Sequence, residues 1–519
     1  MNQSEFKKIV IVGGGTAGWL TACIIAAEHQ CKHSQTVKLT LVESPQVSTI
    51  GVGEGTWPTM RSTLQNIGIS EAEFFRCCDA SFKQGSQFIG WLDGTKKDSY
   101  FHPFTVPHGL GQADLAKHWR KFNTDSSFAD CVSFQPELCR LGLAPKQIST
   151  PEYAAVANYG YHLNAGKFAD LLKTHGTQNL GIEHLSAHVE KIQSLPSGHI
   201  QAIETDKGTI EGDLFVDCTG MNALLIGKHF NVPWIPKHDI LFNDSALATQ
   251  LEYEPNNTQI ASHTLSTAQS NGWIWDIGLT TRRGIGYVYS SRHCSDDEAE
   301  LVLHKYLSDK TAGNYQQNTN IRKISFKPGY RQQFWIKNCV AVGMSAGFIE
   351  PLEASALALV ELSAKMISQE LPENFQMMAI CAKRFNQRFT YRWERIIEFL
   401  KLHYVLSKRT DSDYWKENRD LNSIPERLQE LITLWQYQPP STNDFYDVEE
   451  VFPSSSYQYI LYGMGFKPPT HVTSRRNSDF SKAAHFYQES KMLTQRYVAG
   501  LTSNRDLIKH IVSQGLPKH

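Results

Sequence analysis

The stretch Lys7–Trp19, KKIVIVGGGTAGW, decides the fold of this 519-residue chain. Its apolar part, Lys7–Val12, predicts a buried β-strand, because a short apolar run ended by glycine is typical of a strand inside a parallel sheet. The glycine-rich turn Gly13–Gly18 follows, and Trp19–Glu28 predicts a helix. The stretch therefore predicts the strand, turn and helix that open an α/β fold with a parallel sheet.

A second predicted strand, Val37–Val42, ends at the acidic residue Glu43. In a βαβ unit of this kind the glycines permit a tight turn and a close approach of backbone to pyrophosphate, and the acid binds a ribose hydroxyl. A plain glycine-rich turn is the alternative, but the acid at the end of the second strand favours a dinucleotide site. The residues expected at the cofactor are Gly13, Gly15, Thr16, Ala17, Gly18 and Glu43.

Two later stretches predict returns of the chain to this first sheet. Short strands recur from Ile182 to Cys218, and the last of them, Leu214–Asp217, is followed by Thr219 and Gly220. A further buried strand is predicted at Cys339–Val342. Both strands run into glycine-containing turns, so we expect them to lie beside the dinucleotide.

The rest of the chain predicts helices and one antiparallel sheet. The expected helices are Thr59–Ile67, Phe74–Phe88, Lys167–Thr174, Phe375–Tyr404 and Glu426–Trp435.

Three further regions complete this interpretation. Residues Ala246–Ser290 alternate in the manner of an antiparallel sheet. Asp98–Leu143 reads as a long irregular insert that covers the site, and Phe445–Gly465 as an aromatic segment rich in serine and glycine.

The stretch Gly343–Val360, GMSAGFIEPLEASALALV, combines a turn, a proline and a helix start. Pro351 suits the first turn of a helix, so unpaired amides should gather near Glu353 and favour an anion. Two carboxylates, Glu350 and Glu353, lie in the same turn. They either cap the helix or do chemistry, and the residues alone leave both interpretations open.

Composition excludes several function classes. Lys and Arg number 51 against 52 Asp and Glu, and no basic stripe is present, which argues against nucleic acid as a partner. The ten cysteines form no C-x-x-C pair, so we expect reduced thiols in the cytoplasm and no metal site.

The N-terminus enters a strand at once, which argues against a signal peptide, and no apolar run is long enough to span a membrane. The 26 Phe, 20 Tyr and 11 Trp fit an aromatic-lined pocket or core packing equally well.

Four motifs resemble those of the flavin-dependent tryptophan halogenases. The segments GVGEGT at Gly51–Thr56 and SFKQG at Ser81–Gly85 resemble the family's GVGEAT segment and the segment that carries its essential lysine. GWIWDIG at Gly272–Gly278 resembles the WxWxIP signature, and EPLEAS at Glu350–Ser355 resembles EPLES with the family's glutamate. With EFLKLHYVLSKR and YILYGMG near the C-terminus, the resemblance covers nearly the whole chain.

This resemblance implies a fold and a reaction. The fold is α/β, with a Rossmann-like FAD-binding domain of the flavoprotein monooxygenase (GR2-like) type, an interleaved antiparallel-sheet substrate domain and a helical C-terminal region. The reaction uses reduced FAD, O2 and chloride or bromide to form hypohalous acid, which halogenates tryptophan, indole or an indole derivative. A separate flavin reductase is implied, because the sequence has no second nucleotide fingerprint for NADH. The chain is expected as a monomer or a homodimer.

The same resemblance implies the domain bounds. Residues 1–100, 150–235 and 335–375 are expected to form a discontinuous FAD-binding domain. Residues 100–150 and 236–334 are expected to form the substrate or cover region, and 376–519 a helical region that completes the substrate pocket.

The family's functional residues carry over onto matching positions. Lys83 would receive the hypohalous acid, and Glu353 would polarise the transfer or take the ring proton. The amides of Ser355 and Ala356 would hold the halide. Trp273 and Trp275 would separate flavin from substrate. Further cofactor contacts are implied at Val189, Gly343, Met344 and Leu357, and substrate contacts at Phe445, Tyr446, Phe452 and Tyr457.

Other interpretations of these residues remain open in the sequence. A lysine in such a segment is often a solvated surface residue, and two tryptophans two apart on a strand are often core. At the level of the whole chain, an aromatic hydroxylase and a flavin-binding protein without turnover are the alternatives.

Three positions depart from the family's motifs. Gly278 stands where the signature has proline, Ala354 where EPLES has serine, and Gly55 where GVGEAT has alanine. No carboxylate between Asn443 and Tyr459 matches those that grip the amino-acid part of tryptophan. We therefore expect an indole or another electron-rich aromatic, larger than or different from free tryptophan.

Overall fold

The computed structural model describes residues 8–34, 36–46, 53–95, 97–122, 125–253, 259–311, 320–467 and 480–518. The chain forms two compact units, each built from three separate stretches. The first unit comprises Met1–Ala80, Leu163–Lys237 and Lys327–Trp393. The second comprises Ser81–His162, His238–Phe326 and Glu394–His519. In the described part of the chain, no helix is both long enough and apolar enough to cross a membrane.

The described strands are β1 Lys8–Val12, β2 Lys38–Glu43, β3 Gly53–Gly55, β4 Ser81–Lys83, β5 Gly85–Ile89, β6 Ser99–Pro103, β7 Gly160–Asn164, β8 Glu183–Ser186, β9 Val189–Ser194, β10 Ile200–Thr205, β11 Gly208–Glu211, β12 Leu214–Asp217, β13 Trp234–Pro236, β14 Ser245–Glu252, β15 Thr264–Gln269, β16 Gly272–Gly278, β17 Arg282–Tyr289, β18 Arg322–Ser325, β19 Gly329–Arg331, β20 Trp335–Ile336, β21 Cys339–Ala341 and β22 Gly347–Phe348.

The described α-helices are α1 Thr16–Glu28, α2 Thr59–Ile67, α3 Glu71–Cys78, α4 Leu115–Phe122, α5 Phe128–Val132, α6 Gln135–Arg140, α7 Ala165–Asn179, α8 Asp296–Lys310, α9 Ser355–Gln369, α10 Phe375–Val405, α11 Asp413–Glu417, α12 Glu426–Trp435, α13 Ser454–Gly463, α14 Phe480–Gly500 and α15 Asn504–Gln514.

A six-stranded sheet organises the first unit, in the order β20-β21-β12-β1-β2-β8. All neighbours are parallel except the edge strand β20, which is antiparallel to β21. Val12 pairs with Val42 and with Asp217, and Asp217 pairs with Ala341. The carboxyl ends of β1, β2, β12 and β21 therefore lie at one edge of the sheet, which confirms the two predicted returns of the chain.

The helix α1 is buried on nearly every side, because its residues are mostly small or apolar. It begins at Thr16, three residues before the predicted Trp19, so the last part of the glycine turn is already helical. It packs against α7 and α9 within the first unit. This packing fixes the start of α1, and with it the glycine turn, against the sheet.

A seven-stranded sheet organises the second unit, in the order β18-β14-β17-β16-β15-β5-β6. Its neighbours are antiparallel except for the β15–β5 pair. The strands β14 to β17 confirm the antiparallel sheet predicted for Ala246–Ser290. The C-terminal region is helical, from α10 to α15, as the family resemblance implied.

The helix predicted for Phe74–Phe88 is wrong. The helix α3 begins after Ser70, whose hydroxyl accepts from the amide of Glu73, and it ends where Asp79 turns left-handed at φ 50°. The strands β4 and β5 follow directly. Lys83 therefore lies on a strand.

Regular elements occur in two regions for which the sequence predicted none by name. The segment Asp98–Leu143 includes β6 and the short helices α4, α5 and α6, so the expected irregular insert is wrong. The aromatic segment Phe445–Gly465 contains α13. By contrast, the predicted helices Thr59–Ile67 and Glu426–Trp435 match α2 and α12 at both ends.

Candidate active site

The glycine turn of the first unit has the geometry that a pyrophosphate needs. Gly13 has φ 115°, and a Cβ there would lie 2.2 Å from the carbonyl oxygen of Cys218. A Cβ on Gly18 would lie 1.9 Å from the carbonyl oxygen of Gly13, so the helix approaches the turn as closely as backbone allows. At Gly15, by contrast, no atom lies within 4 Å of an added Cβ. The space is open where a ligand would approach, so the turn fits the phosphates of a dinucleotide.

The carboxylate of Glu43 lies beside this turn. A Cβ added to Gly14 would come within 2.3 Å of the carboxyl carbon of Glu43. The carboxylate accepts from Lys173 Nζ and from His184 Nε2, each at 3.0 Å. Burial, and then the charge of Lys173, lower the pKa of His184. Glu43 is thus an oriented anion at the end of β2, the position of the acid that binds a ribose hydroxyl.

The third return of the chain packs onto the start of α1. Gly343 has φ 72°, and a Cβ there would lie 2.8 Å from the Cβ of Ala17. Gly343 and Met344 belong to a short 3-10 turn, Gly343–Ser345, and the hydroxyl of Ser345 donates to the carbonyl of Val342 at 3.0 Å. The structure therefore brings Gly343, with Met344 next to it in the chain, to the predicted cofactor residue Ala17.

Two other predicted cofactor residues occupy different places in this unit. Val189 begins β9 and pairs with Thr205 in a small antiparallel sheet. Ala187, two residues earlier, donates its amide to the carbonyl of Glu43 at 2.9 Å, so the chain leading to Val189 passes beside the acid. Leu357 lies buried in the first turn of α9. The glycine turn and Glu43 are the part of this unit whose geometry fits a dinucleotide such as FAD.

Glu353 occupies a strained turn at the start of α9. Its backbone has φ 64° and ψ 4°, and Ala354 follows with φ 55° and ψ 46°. The left-handed region is uncommon for residues other than glycine, so two in succession are a marked departure. The helix begins at Ser355, after a 3-10 turn at Leu352–Ala354. Pro351 is therefore not in its first turn, contrary to the sequence prediction.

The groups around this turn are buried. Glu350 is 1% exposed and Glu353 6% exposed. The indole Nε1 of Trp57 donates to the backbone carbonyl of Glu353 at 2.7 Å. The predicted halide-binding residues, Ser355 and Ala356, are the first two of α9, where helical amides lack partners within the helix.

Lys83 lies in the second unit and is 1% exposed. It ends β4, where it pairs with Gly160 of β7, and its Nζ lies 5.3 Å from the ring centre of Phe104. The alternative of a solvated surface lysine is therefore wrong. His162, also on β7, pairs with Ser81, and burial followed by the charge of Lys83 lowers the pKa of its imidazole. Lys83 thus has an aromatic ring and a neutral imidazole in its surroundings.

Trp273 and Trp275 lie on β16 in the second unit, and both are buried. Their ring centres are 6.4 Å apart, with the planes inclined at 62°. A Cβ on Gly286 of β17 would lie 2.0 Å from Trp275 Cη2, so the ring of Trp275 lies directly on this glycine. Their burial fits two interpretations equally: a wall between flavin and substrate, and ordinary core packing.

Three of the four predicted substrate residues lie together. Phe445, Phe452 and Tyr457 are buried. The ring of Phe399 stacks on that of Phe452, with the ring centres 3.8 Å apart, and meets the ring of Tyr457 edge-on, with the centres 4.9 Å apart. Phe445 lies 4.9 Å from Tyr457. Tyr446, the fourth, is 87% exposed.

A family model for tryptophan halogenases matches residues 8–479 of the chain, which contain every residue placed above. The chain belongs to the tryptophan halogenase family. Related proteins of known structure align with nearly the whole length of the halogenase. A tryptophan halogenase from Shewanella frigidimarina is 48% identical, with 100% of both chains covered and a TM-score of 0.96. BrvH, a flavin-dependent halogenase from Brevundimonas sp. BAL3, is 31% identical over 98% of this chain and 99% of its own, with a TM-score of 0.85.

A curated relative gives the same result. The tryptophan 7-halogenase RebH of Lentzea aerocolonigenes is 30% identical and is covered to 98%, as is this chain. The halogenase is thus a flavin-dependent enzyme with an α/β fold.

In the part of the chain that the structure describes, no group of three or more His, Cys, Asp or Glu side chains could hold a metal ion.

The halogenase also has site residues that the sequence did not single out. Trp57 directly follows the segment GVGEGT, of which residues 51 and 52 lie outside the described residues. Phe104 ends the stretch SYFHPF, whose aromatic residues were a usable signal for β6. His162 offered no signal, because its closeness to Lys83 depends on the pairing of β4 with β7.

Proposed function

We propose that this halogenase binds FAD in its first unit and delivers an oxidised halogen through Lys83 to an electron-rich aromatic substrate. The conclusion depends most on one observation: the lysine of the SFKQG segment is buried at the end of a strand, and is not a surface residue. A buried ammonium keeps its three donors for groups inside the protein, which suits the capture of a small polar oxidant.

The cofactor would be held by the glycine turn, with Glu43 at the ribose and the turn at Gly343 beside it. When bound in reduced form, FAD would supply two electrons to O2. The halide would supply the other two, so that one oxygen atom ends in hypohalous acid and the other leaves as water. The amides of Ser355 and Ala356 would bind the halide, since a helix start favours an anion through its free N–H groups and its dipole.

Lys83 would donate a hydrogen bond to hypohalous acid and hold it against the aromatic carbon to be substituted. The new carbon–halogen bond forms as the halogen–oxygen bond breaks, and the oxygen leaves as water once it has taken a proton. Glu353 would take the proton lost from the ring carbon, as a general base. Trp273 and Trp275, as a wall of two rings, would keep the substrate from the flavin and so prevent direct hydroxylation.

The decisive experiment removes this lysine and compares it with another buried one. Lys146 is fully buried in the second unit and donates to the carbonyl of Pro151 at 3.0 Å. Lys83→Met should abolish the halogenated product, measured by mass spectrometry with FAD, a reductase, O2 and bromide, while flavin oxidation continues. Lys146→Met should retain halogenation in the fraction that folds. Full halogenating activity in Lys83→Met would disprove the relay.

The substrate is proposed to be an indole other than free tryptophan. Phe399, Phe445, Phe452 and Tyr457 pack into one aromatic cluster, which would form an apolar wall for such a ring. A panel of indoles, with tryptophan included, should give halogenated products from the indoles at higher kcat/KM. Preferred turnover of tryptophan would contradict this choice of substrate.

A separate flavin reductase is proposed as the source of reduced FAD, because no second nucleotide fingerprint exists in the sequence. Cytoplasmic localisation is proposed because each of the ten cysteines is free. NADH added to the purified halogenase with FAD should leave the flavin absorbance at 450 nm unchanged until a reductase is added, and a drop without reductase would contradict the first of these proposals.

A further inference from the structure

The turn at Glu353 and Ala354 needs support from outside itself. Both residues have left-handed backbone, and neither is glycine. Such conformations persist only where the surroundings hold them, and they concentrate at functional sites. Within the turn, the amide of Ala354 donates to the carbonyl of Pro351 at 3.0 Å. That bond closes the 3-10 turn but does not fix the carbonyl of Glu353.

Trp57 contacts that carbonyl directly. Its indole N–H donates to Glu353 O at 2.7 Å, which is short for an N–H···O bond. The two residues are 296 positions apart in sequence, so the contact is tertiary. Because the carbonyl and the φ/ψ of its own residue move together, this bond constrains the direction of the Glu353 side chain and the amides that follow.

Trp57 is itself firmly placed. It lies two residues before α2, and α2 is tied to α9 through Glu361. The hydroxyl of Thr59 donates to Glu361 Oε2 at 3.1 Å, and the hydroxyl of Thr63 donates to Oε1. The donor in Trp57 and the strained turn are therefore held by the same pair of helices.

We propose that Trp57 is a positioning residue whose indole N–H holds Glu353 in the left-handed conformation that halogenation requires. This inference rests on the proposed function, in which Glu353 and the amides of Ser355 and Ala356 act on the halogen. Trp57 acts through the backbone and touches neither halide nor aromatic substrate in this role.

The test removes one N–H group. Trp57→Phe keeps a large aromatic ring but loses the donor. Trp335→Phe is the matched control, because Trp335 also lies in the first unit and its Nε1 donates to a backbone carbonyl, that of Lys337, at 3.1 Å. Ala354→Gly, added to Trp57→Phe, removes the cost of one left-handed residue and should restore the turn.

Two readouts separate positioning from mere stability. The first is the fraction of oxidised flavin that yields halogenated product. It should fall about 3- to 10-fold in Trp57→Phe, the range expected for loss of one neutral hydrogen bond. It should stay at the wild-type value in Trp335→Phe and recover in Trp57→Phe/Ala354→Gly. The second is hydrogen exchange of the amides of residues 353–357 without flavin, which should quicken in Trp57→Phe by a similar factor.

The role of Trp57 would be overturned if the fraction of oxidised flavin that yields product were equal in Trp57→Phe and Trp335→Phe. It would also be overturned if adding Ala354→Gly to Trp57→Phe gave no recovery. A wild-type protein that makes no halogenated product would instead overturn the proposed function. The exchange measurement still tests the support of the turn in that case, because it needs neither flavin nor turnover.

Discussion

Gly278 is the residue at which this halogenase departs from the family's signature, and its surroundings explain the glycine. A Cβ at this position would lie 2.9 Å from Ile260 Cγ2 and 2.9 Å from Tyr253 Oη. The hydroxyl of Tyr253 donates to the carbonyl of Leu279 at 2.9 Å, so it is fixed in place. The hydroxyl of Ser81, two residues before Lys83, donates to the carbonyl of Gly278. The missing side chain therefore makes room for a hydrogen-bonded tyrosine beside the strand of Lys83.

We expect Gly278→Ala to destabilise the protein by about 1–3 kcal/mol, the usual cost of forcing a methyl group into a packed interior. Tyr253→Phe in the same chain should recover part of this loss, because it removes one of the two colliding atoms. The measurement is the free energy of unfolding in urea, followed by tryptophan fluorescence. Gly15→Ala is the control, since no atom lies within 4 Å of its added Cβ. Equal stability of Gly278→Ala and the wild type would contradict the packing argument.

The sequence could name candidate site residues but not their conformations. Lys83 and Glu353 were found through short motifs, because motifs preserve residue type and spacing. The burial of Lys83 was not predictable, since it depends on the pairing of β4 with β7. The left-handed turn at Glu353 and Ala354 was not predictable either, because neither residue favours that region by itself and the donor that supports the turn lies far away in sequence.

At the scale of elements, the contact between α2 and α9 has a carboxyl at its centre. Glu361 on α9 is 1% exposed and accepts from Thr59 and Thr63 on α2. Burial raises its pKa from 4.5 to about 7, although the two hydroxyl donors and Lys365 act in the other direction. With a folded pKa above the unfolded one, the contribution of Glu361 to stability is fully present below pH 4.5 and is lost as the pH rises through 7.

Glu361→Gln should therefore stabilise the protein at pH 8 by up to roughly 3 kcal/mol relative to the wild type, because an amide pays no charge-burial cost. At pH 5 the gain should vanish. Urea denaturation at the two pH values provides the measurement. Glu370→Gln is the matched control, because Arg384 lowers the pKa of that carboxyl and the substitution should give no gain at pH 8. A constant difference between wild type and Glu361→Gln at both pH values would contradict the titration.

Elements were predicted well where local signals agreed. The ends of α2 and α12 matched, because Pro58 and Pro425 precede them and the apolar spacing is helical. The stretch Phe74–Phe88 was misread because its aromatic residues recur at spacings compatible with both periods. The helix ends at Asp79, which has a left-handed backbone. Glycine usually marks such a helix end in a sequence, and an aspartate does not.

At the scale of the whole molecule, the charges nearly cancel. Basic and acidic side chains number 51 and 52, for a formal net charge of −1 at pH 7. Proteins near zero net charge associate more readily, so we expect a solubility minimum close to pH 7 at low salt.

Precipitation with polyethylene glycol at pH 6, 7 and 8.5 would measure this minimum. Lys305→Glu, at an exposed position of α8, makes the net charge more negative and should raise solubility at pH 7. Lys305→Arg keeps the charge and should leave solubility unchanged. A minimum far from neutral pH would show that surface patches, and not net charge, govern association.

The global topology was predictable only in part. Three stretches that end in glycine turns predicted three strands of one sheet, because parallel strands present their carboxyl ends together. The strand order and the division into two units had no such local mark. They depend on pairings between stretches separated by whole segments of the other unit.

This interleaving has a consequence for synthesis. The strand β12 needs β1 on one side and β21 on the other, yet β21 leaves the ribosome roughly 330 residues after β1. At translation rates of about 5–20 residues per second, the delay is on the order of half a minute. Until β12 is made, β1 offers an apolar edge to any other nascent chain, and from then until β21 is made, β12 offers one. We therefore expect the yield in cells to depend on chaperones that bind such edges, and to improve when translation of the intervening segments is faster.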